Sequence, residues 1–67
     1  MAVVISSKPY GTGRELIIVG ASLDEVANHA HTLLTSIDFM QSPHISQMPR
    51  AEGDGRVTAR IVYYGLD

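Results

Sequence analysis

The stretch LIIVGASLDEVANHAHTLLTSI, residues 16–37, decides the fold of this chain of 67 residues. Its first four residues are all apolar, which predicts a strand that is covered on both faces. Gly20 interrupts this strand, and residues 22–25 match the S-x-x-E capping box that begins a helix. From Leu23 onward apolar residues recur every three to four positions. This spacing predicts an amphipathic helix with one buried stripe that frays near Met40.

Strands are predicted on both sides of this helix, at residues 2–8, 14–20, 44–48 and 56–64. The first is expected to end at Pro9 and the third at Pro49, where the missing N–H suits an edge position for the third strand. Residues 9–13 would form a hairpin loop of about five residues. The chain is therefore predicted to be one α+β domain, residues 1–67, in ββαββ order. One amphipathic helix would pack on one face of a mainly antiparallel four-stranded sheet.

A single helix covers only one face of such a sheet. In the last strand, the odd-numbered residues of 57–63 would share one face and the even-numbered residues of 58–64 the other. The uncovered face would then carry one parity of residues 16–19 together with Val62 and Tyr64. An apolar face of this kind predicts an interface with a twin subunit or another protein, the alternative being a terminal segment that folds over it.

The size of the chain also favours self-association. Scaling for 7.3 kDa predicts burial of about 60% of the surface on folding, which gives a marginal core. Small proteins usually add disulfides, a structural metal or a partner subunit. The chain has no Cys, so disulfides and thiolate metal sites are excluded, and a homodimer or higher homo-oligomer is expected.

Charge and hydropathy exclude several classes of protein. The net charge is −2 and the five Lys and Arg residues are scattered, so the concentrated basic face typical of nucleic-acid binding is not expected. No apolar run approaches the roughly 20 residues of a membrane span. The first residues lack the basic start and long apolar region of a signal peptide, which favours a cytoplasmic location.

No motif predicts chemistry of its own. Ser, His and Asp residues occur without a catalytic context, and a subunit this small is expected to lack an enclosed pocket of several hundred Å³. His29 and His31 point in opposite directions on the helix, so no metal site is expected. Residues 11–14, Gly-Thr-Gly-Arg, resemble a phosphate loop only superficially, because a strand follows them. We therefore expect no enzyme, no catalytic residues and no cofactor.

Short islands of the sequence resemble a known family. They are residues 18–22 before the helix, 37–39 after it, and 53–57 in the last turn. These islands are loosely similar to the dodecins, small flavin-storing oligomers with strand, helix, strand, strand order. The resemblance implies a ligand pocket at subunit junctions. Phe39 stands where the dodecins carry the flavin-stacking Trp, and this chain has an additional N-terminal strand.

These patterns predict a small, non-enzymatic protein–protein interaction module that self-associates and inhibits or regulates another protein, as small phage and plasmid proteins do. Tyr and Arg are enriched where partners bind, so the predicted contact residues are Arg14, Arg60, Val62 and Tyr64. The alternative is an oligomer that binds or sequesters a nucleotide or flavin in pockets at subunit junctions.

Overall fold

The computed structural model describes residues 3–65. Its elements are the strands β1 (Val4–Tyr10) and β2 (Gly13–Gly20), the helix α1 (Leu23–Ser36), a 3₁₀ turn (Phe39–Gln41), and the strands β3 (His44–Ala51) and β4 (Val57–Tyr63). All neighbouring strands are antiparallel, and their order in the sheet is β1-β2-β4-β3. The prediction of an α+β domain in ββαββ order is confirmed.

The β1–β2 hairpin is tighter than predicted. Tyr10 pairs with Gly13, so the loop contains two residues and not five. Gly11 has φ 56°, as expected for the first central residue of a type II′ turn, which suits the twist of a hairpin. Pro9 does not end β1 but lies within it. Proline is tolerated there because β1 is an edge strand.

The helix begins as predicted and ends early. Ser22 is the N-cap, and its side-chain oxygen accepts a hydrogen bond of 3.2 Å from the backbone N–H of Glu25. The hydroxyl groups of Thr35 and Ser36 donate to carbonyls one turn earlier, a side-chain bonding that weakens helix interiors. The backbone is extended at Ile37, so the helix does not continue to Met40.

The core lies between α1 and the two central strands. It consists of Ile18, Val26, Ala30, Val57, Ala59 and Ile61, each at most 5% exposed. Register explains the grouping, because Leu16 pairs with Ile61 and Ile18 with Ala59, so these side chains face the helix together. The predicted inner face of the last strand is thus confirmed. The predicted helical stripe is confirmed from Val26 onward except at Ala27, which is exposed, as is Leu23 at the start of the helix.

The two edges of the sheet differ. β3 was predicted to stop at Pro49, yet it runs to Ala51 as the edge beside β4. Its pairing shifts register between Ile45 and Gln47 and again between Gln47 and Arg50, as β-bulges do. Pairing of β1 with β2 is continuous from Val4 to Tyr10. One edge is therefore irregular and the other regular.

The folded chain exposes 4367 Å², close to the roughly 4,200 Å² that scaling gives for a monomer of this mass. The chain is thus about as compact as an ordinary monomer, and any case for self-association depends on the surfaces that it leaves open. Within residues 3–65, no helix has the length and apolar character needed to cross a membrane.

Candidate interaction surface

One face of the sheet is not covered by the helix, and we call it the open face. The strand pairing identifies the residues of the open face, because directly paired residues lie side by side on the same face of a sheet. One row runs from Lys8 through Glu15 and Val62 to His44. The open face comprises Val4, Ser6, Lys8 and Tyr10 of β1, Glu15, Ile17 and Val19 of β2, Thr58, Arg60 and Val62 of β4, His44, Gln47 and Arg50 of β3, and Tyr64.

A buried carboxylate lies at the centre of the open face. Glu15 is only 6% exposed, although no helix or strand within residues 3–65 packs over it. Lys8 reaches it from one side, with Nζ 3.3 Å from Oε1, and Arg60 from the other, with Nη1 3.7 Å from Oε2. A carboxylate removed from water needs such charged partners. Glu15 thus holds two cations that would otherwise repel each other.

Arg60 is incompletely paired. Its Nε is buried and has no hydrogen-bond partner within the described residues, and its contact with Glu15 is long for a hydrogen bond. A guanidinium presents donors in a planar fork that matches a carboxylate in a bidentate way. Arg60 therefore has donor capacity that Glu15 does not use.

The open face is positive on a protein that is negative as a whole. It carries Lys8, Arg50 and Arg60, three of the five Lys and Arg residues, whereas Glu15 is its only acid among residues 3–65. The face therefore has a surplus of two positive charges, while the chain has a net charge of −2. Such separation of charge directs an acidic partner to this side.

Aromatic side chains lie at one end of the open face. The rings of Tyr64 and His44 are 6.1 Å apart and tilted by 32°. The backbone N–H of Tyr64 donates to the carbonyl of Gln41 at 2.8 Å, which fixes the chain after β4. Tyr10 is 47% and Tyr64 40% exposed. Together they provide apolar contact area beside the cations, a combination common at protein interfaces.

The four predicted contact residues are not brought together. Arg60 and Tyr64 lie on the open face with accessible side chains, as a contact role requires. Val62 lies on the same face but is 1% exposed, so it supports its neighbours and offers no surface to a partner. Arg14 pairs with Tyr63, which puts it on the helix side of the sheet, where its Nη1 donates to Ser7 Oγ at 3.3 Å.

Arg14 lines a half-open cleft of about 400 Å³ next to the hairpin. The cleft is open and not enclosed, so it does not contradict the expectation that so small a subunit lacks an enclosed pocket. Its other lining residues are Pro9, Gly11, Thr12, Gly13, Gln41, Tyr63 and Gly65. Arg14 is the only charged residue among them, so the cleft offers one cation to an anionic ligand.

Other titratable groups lie apart from these surfaces. Within residues 3–65, no three His, Asp or Glu side chains are arranged to hold a metal ion. In the β3–β4 turn, side-chain hydrogen bonds from Arg56 lower the pKa of Asp54, and the same bonds raise the pKa of Arg56. Arg56 Nη2 lies 2.7 Å from Asp54 Oδ2, so this pair closes the turn.

Sequence reasoning missed three charged members of the open face, Lys8, Glu15 and Arg50. The pairing register that joins the strands was needed to place all three on one face. Comparison of the chain with protein-family models, curated proteins and solved structures finds no match, and the resemblance to the dodecins gains no support from it.

Proposed function

We propose that this protein is a small cytoplasmic protein–protein interaction module without catalytic activity, and that its open face binds an acidic surface of another protein and thereby inhibits or regulates it. The observation that carries the proposal is the surplus of positive charge on the open face. Charge complementarity speeds encounter and selects partners, while exposed Tyr and Arg side chains supply contact energy.

The arrangement around Glu15 supports an acidic partner in particular. Lys8 and Arg60 are already gathered by Glu15, so ordering these long side chains costs little when a partner arrives. The unused donors of Arg60 suit a carboxylate of the partner. Ile17 lies beside Arg60 on the open face and is half-buried, so it adds an apolar contact.

A protein partner fits the open face better than a nucleic acid does. Proteins that bind single strands on a sheet stack bases on aromatic residues and neutralise many phosphates. Here Tyr10 and Tyr64 lie at one end of the face, and the net charge of −2 repels a polyanion at a distance. Three cations also allow only a few phosphate contacts.

The proposal is tested by titrating the protein with poly-L-glutamate and, separately, with a thymidine oligonucleotide. We expect poly-L-glutamate to bind, more weakly as salt rises. The Arg60→Ala, Tyr64→Ala double variant should bind about tenfold or more weakly, a loss of about 1.4 kcal/mol or more. Glu15→Gln should bind more tightly, because it removes the one acid of the face, even though it destabilises the fold.

The matched control is Arg56→Ala, which removes a cation from the β3–β4 turn and should leave binding unchanged. Circular dichroism checks that each variant keeps its helix. Binding of the oligonucleotide but not of poly-L-glutamate would contradict the proposal. A loss of affinity in Arg56→Ala as large as in the double variant would also contradict it, because the ligand would then not depend on the charge of the open face.

The second candidate function is the binding of a small anionic ligand, and the cleft beside Arg14 favours it. Its volume of about 400 Å³ lies within the range of ligand pockets. Native mass spectrometry of the freshly purified protein should then show an added mass of a few hundred daltons, lost in Arg14→Gln. Unchanged retention in that variant would remove the cleft from consideration.

A further inference from the structure

β1 is the unprotected edge of the sheet. Every residue from Val4 to Tyr10 is exposed, and β1 pairs only with β2 within the described residues. Val4 is 63% and Ile5 43% exposed. Proteins blunt sheet edges with bulges, prolines and charges. β3 has two register shifts and Pro49, whereas β1 carries its Lys8 and Pro9 at one end only and leaves its first half regular and apolar.

The hairpin shows which backbone groups of β1 are free to pair. Tyr10 and Gly13 flank the two-residue turn, so they form a hydrogen-bonded pair. Because bonding alternates along an antiparallel ladder, even-numbered residues of β1 bond to β2. Odd-numbered residues, namely Ile5, Ser7 and Pro9, turn their backbone groups outward. Pro9 has no N–H to offer, and it occupies a position where β2 does not need one.

We propose that β1 pairs with β1 of a second copy of this chain, antiparallel, with Ile5 opposite Ile5 of the partner subunit. Val3 then lies opposite the partner's Ser7, so the outward N–H and C=O groups of Val3, Ile5 and Ser7 pair with those of the partner subunit. A register centred on Ser7 would place Pro9 opposite the partner's Ile5 and leave one carbonyl without a donor. The outward groups therefore favour the register centred on Ile5.

The role of this dimer rests on the proposed function, whereas the pairing of the two strands does not. A two-fold axis perpendicular to the sheet relates the copies, because directly opposite residues of antiparallel strands share a face. The result is one eight-stranded sheet with both helices on one side and both open faces on the other. The dimer thereby doubles the open face that one partner can contact.

The dimer also avoids the repulsion that other contacts would bring. Two open faces pressed together would set a surplus of two positive charges against another such surplus, which is unfavourable. Edge pairing keeps the faces side by side. It also covers Val4 and Ile5, which are exposed in the single chain.

The first test measures molecular mass by sedimentation equilibrium over a series of concentrations. Wild-type protein is expected at twice 7.3 kDa. Ile5→Pro removes an outward N–H without touching the ladder to β2, so it should lose the dimer while keeping the helical circular dichroism signal. Met48→Lys on the opposite edge is the control and should remain dimeric. A monomeric wild type, or a dimeric Ile5→Pro variant, would overturn the proposal.

The second test uses the absence of native Cys and stays informative even when Ile5→Pro fails to fold. A single Ile5→Cys substitution places two thiols opposite each other across the two-fold axis, within the Cα separation that a disulfide tolerates. Mild oxidation should link Ile5→Cys chains several-fold faster than Ser7→Cys or Met48→Cys chains. Faster linking of Ser7→Cys would contradict the register, and equal rates at all three positions would contradict edge pairing.

Failure of this inference differs from failure of the proposed function. A monomer that binds poly-L-glutamate with the expected variant pattern refutes the edge pairing and keeps the open face as a binding surface. A dimer linked through Ile5→Cys that does not bind poly-L-glutamate refutes the acidic partner and keeps the pairing.

Discussion

A Gly13→Ala variant is expected to lose about 3 kcal/mol or more of its free energy of unfolding, more than overpacking usually costs. The added Cβ would overlap the backbone carbonyl oxygen of Tyr63 and lie 2.6 Å from Tyr64 Cα. Both atoms belong to the backbone, so no side-chain rotation relieves the clash. The chain after β4 cannot move away freely, because Gly65 N–H donates to the Thr12 carbonyl at 3.2 Å.

A loss of that size is about a third or more of the stability of a chain of 67 residues, since stability runs at roughly 0.05–0.15 kcal/mol per residue. Urea unfolding followed by circular dichroism measures it. Gly11→Ala is the matched control in the same hairpin: φ is 56° but no atom lies within 4 Å of the added Cβ. Only backbone strain remains there, about 1–2 kcal/mol. Equal losses at Gly11 and Gly13 would contradict the close approach of Tyr63.

An Ile18→Ala variant is expected to lose about 2–5 kcal/mol, because it leaves a cavity in the core. Ile18 is completely buried, opposite Ala59 in the neighbouring strand and beneath the helix. Ala59 is too small to fill the space, so little collapse can offset the loss. Urea unfolding again provides the measurement, with the midpoint expected to fall.

Ile17→Ala is the control, since it removes the same atoms one residue away on the other face. Ile17 pairs with Arg60 and is half-buried, so the loss of stability should be clearly smaller than in Ile18→Ala. Binding of poly-L-glutamate should instead weaken in Ile17→Ala. A larger loss of stability in Ile17→Ala would show that the two faces of β2 have been assigned the wrong way round.

Local patterns predicted most of the fold. The capping box at Ser22 and the apolar stripe after it located the helix, and the alternation in residues 57–63 located the buried face of the last strand. The errors share a cause: Pro9 and Pro49 were interpreted as strand ends. On an edge strand, proline needs only an N–H that points away from the neighbouring strand. Pro49 did indicate an edge strand, and β3 is one, but whether an edge strand continues past its proline depends on pairing along the whole sheet.

Much less of the candidate site could be predicted. Glu15 lies in the strand before the helix, and residues of its type are almost never fully buried unless they are paired. Its burial depends on Lys8 and Arg60 reaching it from two other strands, and those neighbours follow from pairing over long sequence separation. Tyr64 and Arg60 were predicted from residue type and strand parity, and the structure places both on the open face, while their contact role stays a prediction. Arg14 was predicted from its place near the hairpin, and its face depends on which parity of β2 packs against the helix, which the all-apolar run at residues 16–19 leaves open.

The strand order also has a consequence for the speed of folding. β1–β2 and β3–β4 are joined by short turns, so each hairpin can close within microseconds. The central seam joins β2 to β4, with Gly20 opposite Val57, and forms only after the long intervening segment has folded back at an entropic cost. We expect this seam to limit the rate of folding. The folding chain would thus form its two hairpins first, and the β2–β4 pairing would follow when the helix brings them together.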